Sequence, residues 1–158
     1  MMKIYLSYSL APTDMHIASL LSRQAEARGI VVETAQQIVL GSIWSAIITQ
    51  QIMSSSMVIA IISRDSQNVA NVERELGLAR MYGRPVLALI ERGIYAPANL
   101  ADIQWVTFDR QDLSPALSDI SMILERHKNQ ESDKSWLVVG GLALLALYLF
   151  SQEKSPDN

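Results

Sequence analysis

Met57-Val58-Ile59-Ala60-Ile61-Ile62 is an unbroken apolar run, and after a polar turn it leads into Asn68 to Tyr82, where Val69, Val72, Leu76 and Ala79 recur at helical spacing. A short β-branched run without polar alternation suits a strand buried on both faces, the habit of a central strand in a parallel sheet. The following segment has the length and period of an amphipathic helix, which Gly83 stops. Strand, turn and helix in that order are half of a β-α-β unit. They place Glu75, early in the helix, near the carboxyl edge of the sheet, where open α/β folds keep their ligand sites.

The same alternation extends in both directions. Lys3 to Tyr8 is β-prone, Asp14 to Arg28 carries Met15, Ala18, Leu21 and Ala25 at helical intervals, Gly29 ends that helix, and Ile30-Val31-Val32 follows as a strand. Gly41 to Met53 sets Ile43, Ile47, Ile48 and Ile52 at helical spacing before the central run. Pro85 to Ile90 and Gln104 to Phe108 are two more strands, and Ser114 to His127 is a last helix. The expected fold is α/β: a five-stranded, mostly parallel sheet with helices on both faces.

With 49% hydrophobic and 18% charged residues, the 158-residue chain suits one globular domain and a short appendage. The net charge of -3 comes with no basic stripe or aromatic platform, so nucleic acid is not an expected partner. Cysteine is absent, which removes disulfides, thiolate metal sites and a Cys nucleophile. His16 and His127 are too few and too far apart for a metal site or a catalytic triad, so no metal is expected. Ser7, Ser9, Thr13 and Asp14 interrupt any apolar stretch near Lys3, so no cleavable signal is expected.

Residues 136–151 differ from everything before them. From Trp136 to Phe150 the chain carries no charge, and Lys134 and Glu153-Lys154 bracket it. As a helix this run measures roughly 22 Å against a hydrocarbon core of ~30 Å, a gap that Ser135, Ser151 and a thinned bilayer narrow. Trp136, Tyr148 and Phe150 stand at the two ends, where interfacial aromatics belong, and Gly140-Gly141 permits close helix approach. The competing reading is a helix that packs in a core or an assembly. Arg126, Lys128 and Lys134 precede the run, so the positive-inside bias keeps the larger part cytoplasmic. The expected organisation is a folded domain over 1–128, a linker over 129–135, a single-pass membrane anchor over 136–151 and a polar tail over 152–158.

Five blocks together resemble the bacterial Toll/interleukin-1 receptor (TIR) domains over about residues 1 to 128. Ile4-Tyr5-Leu6-Ser7-Tyr8-Ser9 is similar to the family's first strand, and Gly29-Ile30-Val31-Val32 to its second. Gly41-Ser42-Ile43-Trp44 with Ile48, Ile52 and Ser55 resembles the pattern that runs from the family's BB loop through its second helix. Ile61-Ile62-Ser63, then Glu75-Leu76 and Ala79, resemble the third strand and the Trp-Cys-x-x-Glu-Leu signature, with Asn71-Val72 in place of Trp-Cys. The resemblance implies a TIR/flavodoxin-like sheet and self-association. It also implies, from the family's enzymatic members, cleavage of NAD as substrate, with no cofactor and Glu75 as the catalytic residue.

The chemistry is consistent with a lone carboxylate. Nicotinamide leaves a cationic precursor as a neutral molecule and so needs no general acid, unlike the leaving group of an ordinary glycoside. Positive charge develops on the ribose, and a fixed anion in a water-poor site opposes it. Glu73 and Glu75 each lie roughly 80° to one side of the core stripe, at 100° per residue. Glu75 shares its side with Leu78 and Tyr82, and Glu73 shares its side with Gly77 and Arg80, so Glu75 is the acid expected to be desolvated. The plain alternative for both is a helix-N-terminal acid that favours the macrodipole.

Ser7, Tyr8, Ser9, Ser42, Trp44 and Asn71 are the substrate-binding candidates. Ser7, Tyr8 and Ser9 equally suit strand-end turn chemistry, Ser42 a helix cap, and Trp44 core packing. Asp14 reads as an acid of a first helical turn. A second function class is a non-enzymatic TIR-like scaffold that acts by self-association, which Asn71-Val72 favours. A remote third is a nucleoside 2-deoxyribosyltransferase-like enzyme, because Glu75-Leu76-Gly77-Leu78-Ala79 before Gly83-Arg84-Pro85-Val86 is also similar to that family.

Overall fold

The computed structural model describes residues 1–35, 44–66, 69–94 and 103–132. In chain order the elements are β1 (Lys3–Ser7), α1 (Pro12–Glu26), β2 (Val31–Thr34), α2 (Trp44–Ser54), β3 (Met57–Ile62), α3 (Val69–Met81), β4 (Val86–Glu91), β5 (Gln104–Phe108) and α4 (Ser114–Ser132). The strands form one five-stranded sheet in the order β2-β1-β3-β4-β5, and every neighbouring pair is parallel. This is the expected α/β architecture.

Alternation along the strands sorts the core into two layers. Ile4, Leu6, Ile59, Ile61, Leu87 and Leu89 pack with Ile17, Leu21 and Ala25 of α1 and with Ala116, Ile120 and Leu124 of α4. Tyr5, Val58, Ala60, Ile62, Ala88 and Ile90 pack with Ile48 and Ile52 of α2 and with Val72, Leu76 and Ala79 of α3. All six residues of β3 are buried, which is why its sequence shows no polar alternation. Full burial of each Ile or Leu contributes roughly 1.5–3 kcal/mol.

Helix ends follow local chemistry. Pro12 opens α1 two residues before the expected Asp14, because a first-turn proline gives up an N–H that has no helical partner. Gly29 and Gly83 adopt φ of 70° and 63°. After α1 the Ile30 and Gly29 amides return to the carbonyls of Ala25 and Glu26, and after α3 the Arg84 and Gly83 amides return to those of Ala79 and Arg80. Both are Schellman closures, which need the left-handed conformation that glycine adopts without strain. The first closure occupies the Ile30 amide, so β2 starts at Val31 rather than at Ile30.

The chain divides into two compact units, Met1–Leu124 and Glu125–Asn158. The first holds the sheet. Described residues 125–132 of the second are the last turns of α4, which continues past His127. Residues 129–132, expected within the linker, are therefore helical, since no glycine or proline interrupts them. The expected anchor over 136–151 and tail over 152–158 lie outside the described residues. Among the described residues, no helix is long and apolar enough to cross a membrane.

Candidate functional site

The strand order reverses beside β1. The chain leaves it through α1 to reach β2 on one side, then returns through α2 to β3 on the other. The carboxyl ends of β1 and β3 thus flank a topological switch point, the crevice where open α/β sheets bind ligands. Ser7 ends β1 there, opposite Ala60 of β3. Two residues on from Tyr5, it faces the α2 and α3 layer.

Glu75 comes to meet it. The side chain is 5% exposed, whereas Glu73, on the other flank of the same helix, is exposed. The Ser7 hydroxyl donates a hydrogen bond to Glu75 Oε2. Burial raises the Glu75 pKa above the ordinary carboxylate value; the Ser7 hydroxyl, the nearby Tyr5 hydroxyl and the Arg74 charge pull it down without overcoming that effect. Tyr5 is fully buried, and among the described residues its hydroxyl closes no hydrogen bond of ordinary geometry. Its pKa is pushed far up, by burial first and then by the negative charge of Glu75.

Glu75 also borders a cavity. A cavity of about 150 Å³ lies between α2 and α3, lined by Ser45, Ile48 and Thr49 on one side and by Asn71, Arg74, Glu75 and Leu78 on the other. The spacings i, i+3, i+4 on α2 and i, i+3, i+4, i+7 on α3 are those of two facing helical stripes. The cavity surface is mostly apolar, and Ser45, Thr49, Asn71, Arg74 and Glu75 are the polar residues that border it.

The other candidates disperse. Asn71 lines the cavity with Glu75. Tyr8 packs against the opposite core layer, with α1 and α4. Ser9 turns away to donate a 2.5 Å hydrogen bond to Asp14 Oδ2, which also accepts one of 2.7 Å from Ser66. Asp14 is thus a first-turn acid, as expected, but one with no exposure at all. Ser42 and the Trp44 side chain lie outside the described residues. Among the described residues, no group of three or more His, Cys, Asp or Glu is placed to hold a metal ion.

A second polar cluster braces the same sheet edge. Glu91, buried at the end of β4, accepts hydrogen bonds of 3.0 and 2.9 Å from Arg110, one of 2.8 Å from the Arg64 amide, and pairs with the Arg64 guanidinium at 2.8 Å. Burial would raise its pKa, but these partners outweigh burial and hold it below the ordinary value. Arg110 also pairs with Asp65 at 2.6 Å, and Asp65 accepts a 3.0 Å hydrogen bond from Thr13. Together with Asp14, this cluster ties the turn after β3 to the start of α1. A further cavity of about 310 Å³, lined by Pro12, Thr13, His16, Ile17, Arg110 and Leu113, holds none of the expected site residues.

Tyr5, Arg74, Ser45 and Thr49 escape a sequence-only reading. Tyr5 looks like an ordinary strand aromatic, and the hydroxyls of α2 look like a polar helix surface. The stripe Asn71, Arg74, Glu75, Leu78 is a signal the sequence offers for Arg74 alone of these.

The sequence matches the TIR domain over residues 4–120. No curated protein sequence matches it. Solved structures with a similar fold include a metazoan TIR-STING receptor from C. gigas, at 20% identity and a TM-score of 0.60, covering 77% of this chain and 38% of that one. A 2-deoxyribosyltransferase from Bacillus psychrosaccharolyticus aligns at 18% identity and a TM-score of 0.59, covering 75% of this chain and 90% of that one. A CMP N-glycosidase from Clostridium botulinum aligns at 13% identity and 0.55, covering 75% and 97%.

Proposed function

The chain belongs to the TIR domain family, and we propose that it cleaves the nicotinamide–ribose bond of NAD, with Glu75 as the catalytic residue. The observation that carries this reading is a buried carboxylate, held by Ser7 and lining a cavity at the switch point of the sheet. The C1′–N bond breaks heterolytically, and its electron pair neutralises the pyridinium as nicotinamide departs. The Glu75 carboxylate stabilises the ribosyl cation in surroundings that screen charge poorly. Water then adds to C1′ and loses a proton to give ADP-ribose. A ribosyl hydroxyl attacking instead gives a cyclic product.

Residues 136–151 anchor the domain to a membrane in this proposal, with the domain cytoplasmic. Confinement to a surface raises the local concentration of copies and favours self-association as the activating event in defence or signalling. The test is NAD loss and nicotinamide release from concentrated or membrane-reconstituted protein, beside Glu75→Ala and Glu73→Ala. Turnover abolished by Glu75→Ala and kept by Glu73→Ala supports the reading. Absence of turnover in assembled wild-type protein points to the scaffold function instead.

The cavity size favours a second reading, a smaller N-glycoside as substrate. At about 150 Å³ the cavity is below the roughly 300–1,000 Å³ of usual ligand pockets. Two structural neighbours are named as a 2-deoxyribosyltransferase and a CMP N-glycosidase. Parallel assays with nucleosides and nucleoside monophosphates separate the two readings by substrate preference.

A further inference from the structure

Arg74 lines the cavity beside Glu75, and no contact to substrate has yet been assigned to it. It is exposed, and the interaction seen for it among the described residues is with the charge of Glu75 next to it. This sets it apart from Arg64 and Arg110, whose guanidinium groups are taken up by Glu91 and Asp65. A buried carboxylate alone makes a cavity that welcomes a cation and repels an anion. A guanidinium at the same wall reverses the second property and provides planar donors that match phosphate oxygens. Asn71, one turn earlier on the same stripe, and Ser45 and Thr49 across the cavity are neutral polar residues; the Thr49 hydroxyl donates to the Ser45 carbonyl at 2.8 Å and keeps its acceptor side for a sugar hydroxyl.

We infer that Arg74 is a specificity-determining residue, which selects N-glycosides whose ribose carries a 5′-phosphate over the corresponding nucleosides. Glu75 faces the anomeric carbon, where positive charge develops, and Arg74 takes the phosphate on the far side of the same ribose. A cavity of about 150 Å³ is smaller than usual ligand pockets, so only part of a nucleotide would enter it. Both a mononucleotide and the nicotinamide half of NAD present that group. The inference rests on the N-glycoside reading of Glu75, but phosphate recognition has its own readout.

Two measurements test it on the full chain. Cleavage of nicotinamide mononucleotide and nicotinamide riboside, which differ by one phosphate, is compared in wild type and Arg74→Gln. Binding of ribose 5-phosphate and of ribose is followed in parallel by calorimetry. Wild type is expected to prefer the phosphorylated member of each pair. Arg74→Gln is expected to lower kcat/KM for the mononucleotide by about 10- to 100-fold, mainly through KM, and to lower it far less for the riboside, which loses only the effect of the Arg74 charge on Glu75. Equal losses on both substrates, or a wild-type protein that does not distinguish ribose 5-phosphate from ribose, overturns the inference. If nothing is cleaved but ribose 5-phosphate binds in an Arg74-dependent way, phosphate selection stands and the cleavage reading falls.

Discussion

The Ser7 hydroxyl donates a hydrogen bond to the Glu75 carboxylate across 68 residues of sequence, joining the end of the first strand to the third helix. The bond stabilises the charged form of a group that burial drives toward neutrality. It is therefore both a tertiary contact and a control on the ionisation of the proposed catalytic residue.

Ser7→Ala removes the donor and keeps the backbone. The Glu75 pKa is expected to rise further, so the acidic limb of the kcat/KM profile moves to higher pH. Stability at neutral pH is expected to fall by about 1–3 kcal/mol, the cost of leaving a buried acceptor short of its partner. Urea denaturation and a pH–rate profile read the two effects separately. An acidic limb that does not move would falsify the control assigned to Ser7.

Glu75→Gln tests the raised pKa itself. The unfolded carboxyl loses its proton near its ordinary value of 4.5, and the folded one loses it at higher pH. The stabilising preference of the fold for the protonated form is complete below 4.5 and is lost as pH rises through the folded value. Glu75→Gln lacks that titration, so its stability should gain on wild type across this window and stay level above it. Proposed turnover should drop by at least about 100-fold at neutral pH. In wild type the acidic limb of kcat should lie below that of kcat/KM, because a bound cationic substrate favours the carboxylate.

Glu91 has the opposite sign. Its folded pKa lies below 4.5 because Arg110 and the Arg64 amide stabilise the anion more than burial disfavours it. That stability is present above 4.5 and disappears as pH falls through the folded value. In acid titrations followed by circular dichroism, Glu91→Gln is expected to flatten the loss of stability that wild type shows below 4.5. A curve parallel to wild type would remove Glu91 from the acid response.

Ile59 is fully buried at the middle of β3. Ile59→Ala should cost about 2–5 kcal/mol, measured as a shift of the urea midpoint with an unchanged slope. Gly83→Ala meets no neighbouring atom within 4 Å, yet φ there is 63°. Backbone strain alone should cost it about 1–2 kcal/mol by the same measurement.

Much of the fold is legible in particular residues. The run Met57 to Ile62 lies between two layers and shows it by having no polar position. Gly29 and Gly83 mark helix ends because left-handed closures favour glycine. The preference for Glu75 over Glu73 follows from Leu78 and Tyr82 on its flank, since a side chain among apolar neighbours on a helix shares their burial. The helix α4 runs past 129, where the linker was expected to start, because polar residues without glycine or proline extend a helix as readily as they form a loop.

The sequence by itself determined the order of strands and helices, the helix stops at Gly29 and Gly83 and the acid to watch, since period, glycine and flank polarity are local properties. Only the tertiary structure decided how Ser7, Tyr8 and Ser9 are shared out. Strand alternation sends Ser7 to Glu75 and Tyr8 to the opposite layer, while Ser9, in the turn beyond β1, closes on Asp14. It also decided that Arg74, one more charge on a helix surface when read alone, stands at the wall of the same cavity as Glu75. Which residues meet across 68 positions depends on how the sheet and helices pack, and no local pattern encodes that distance.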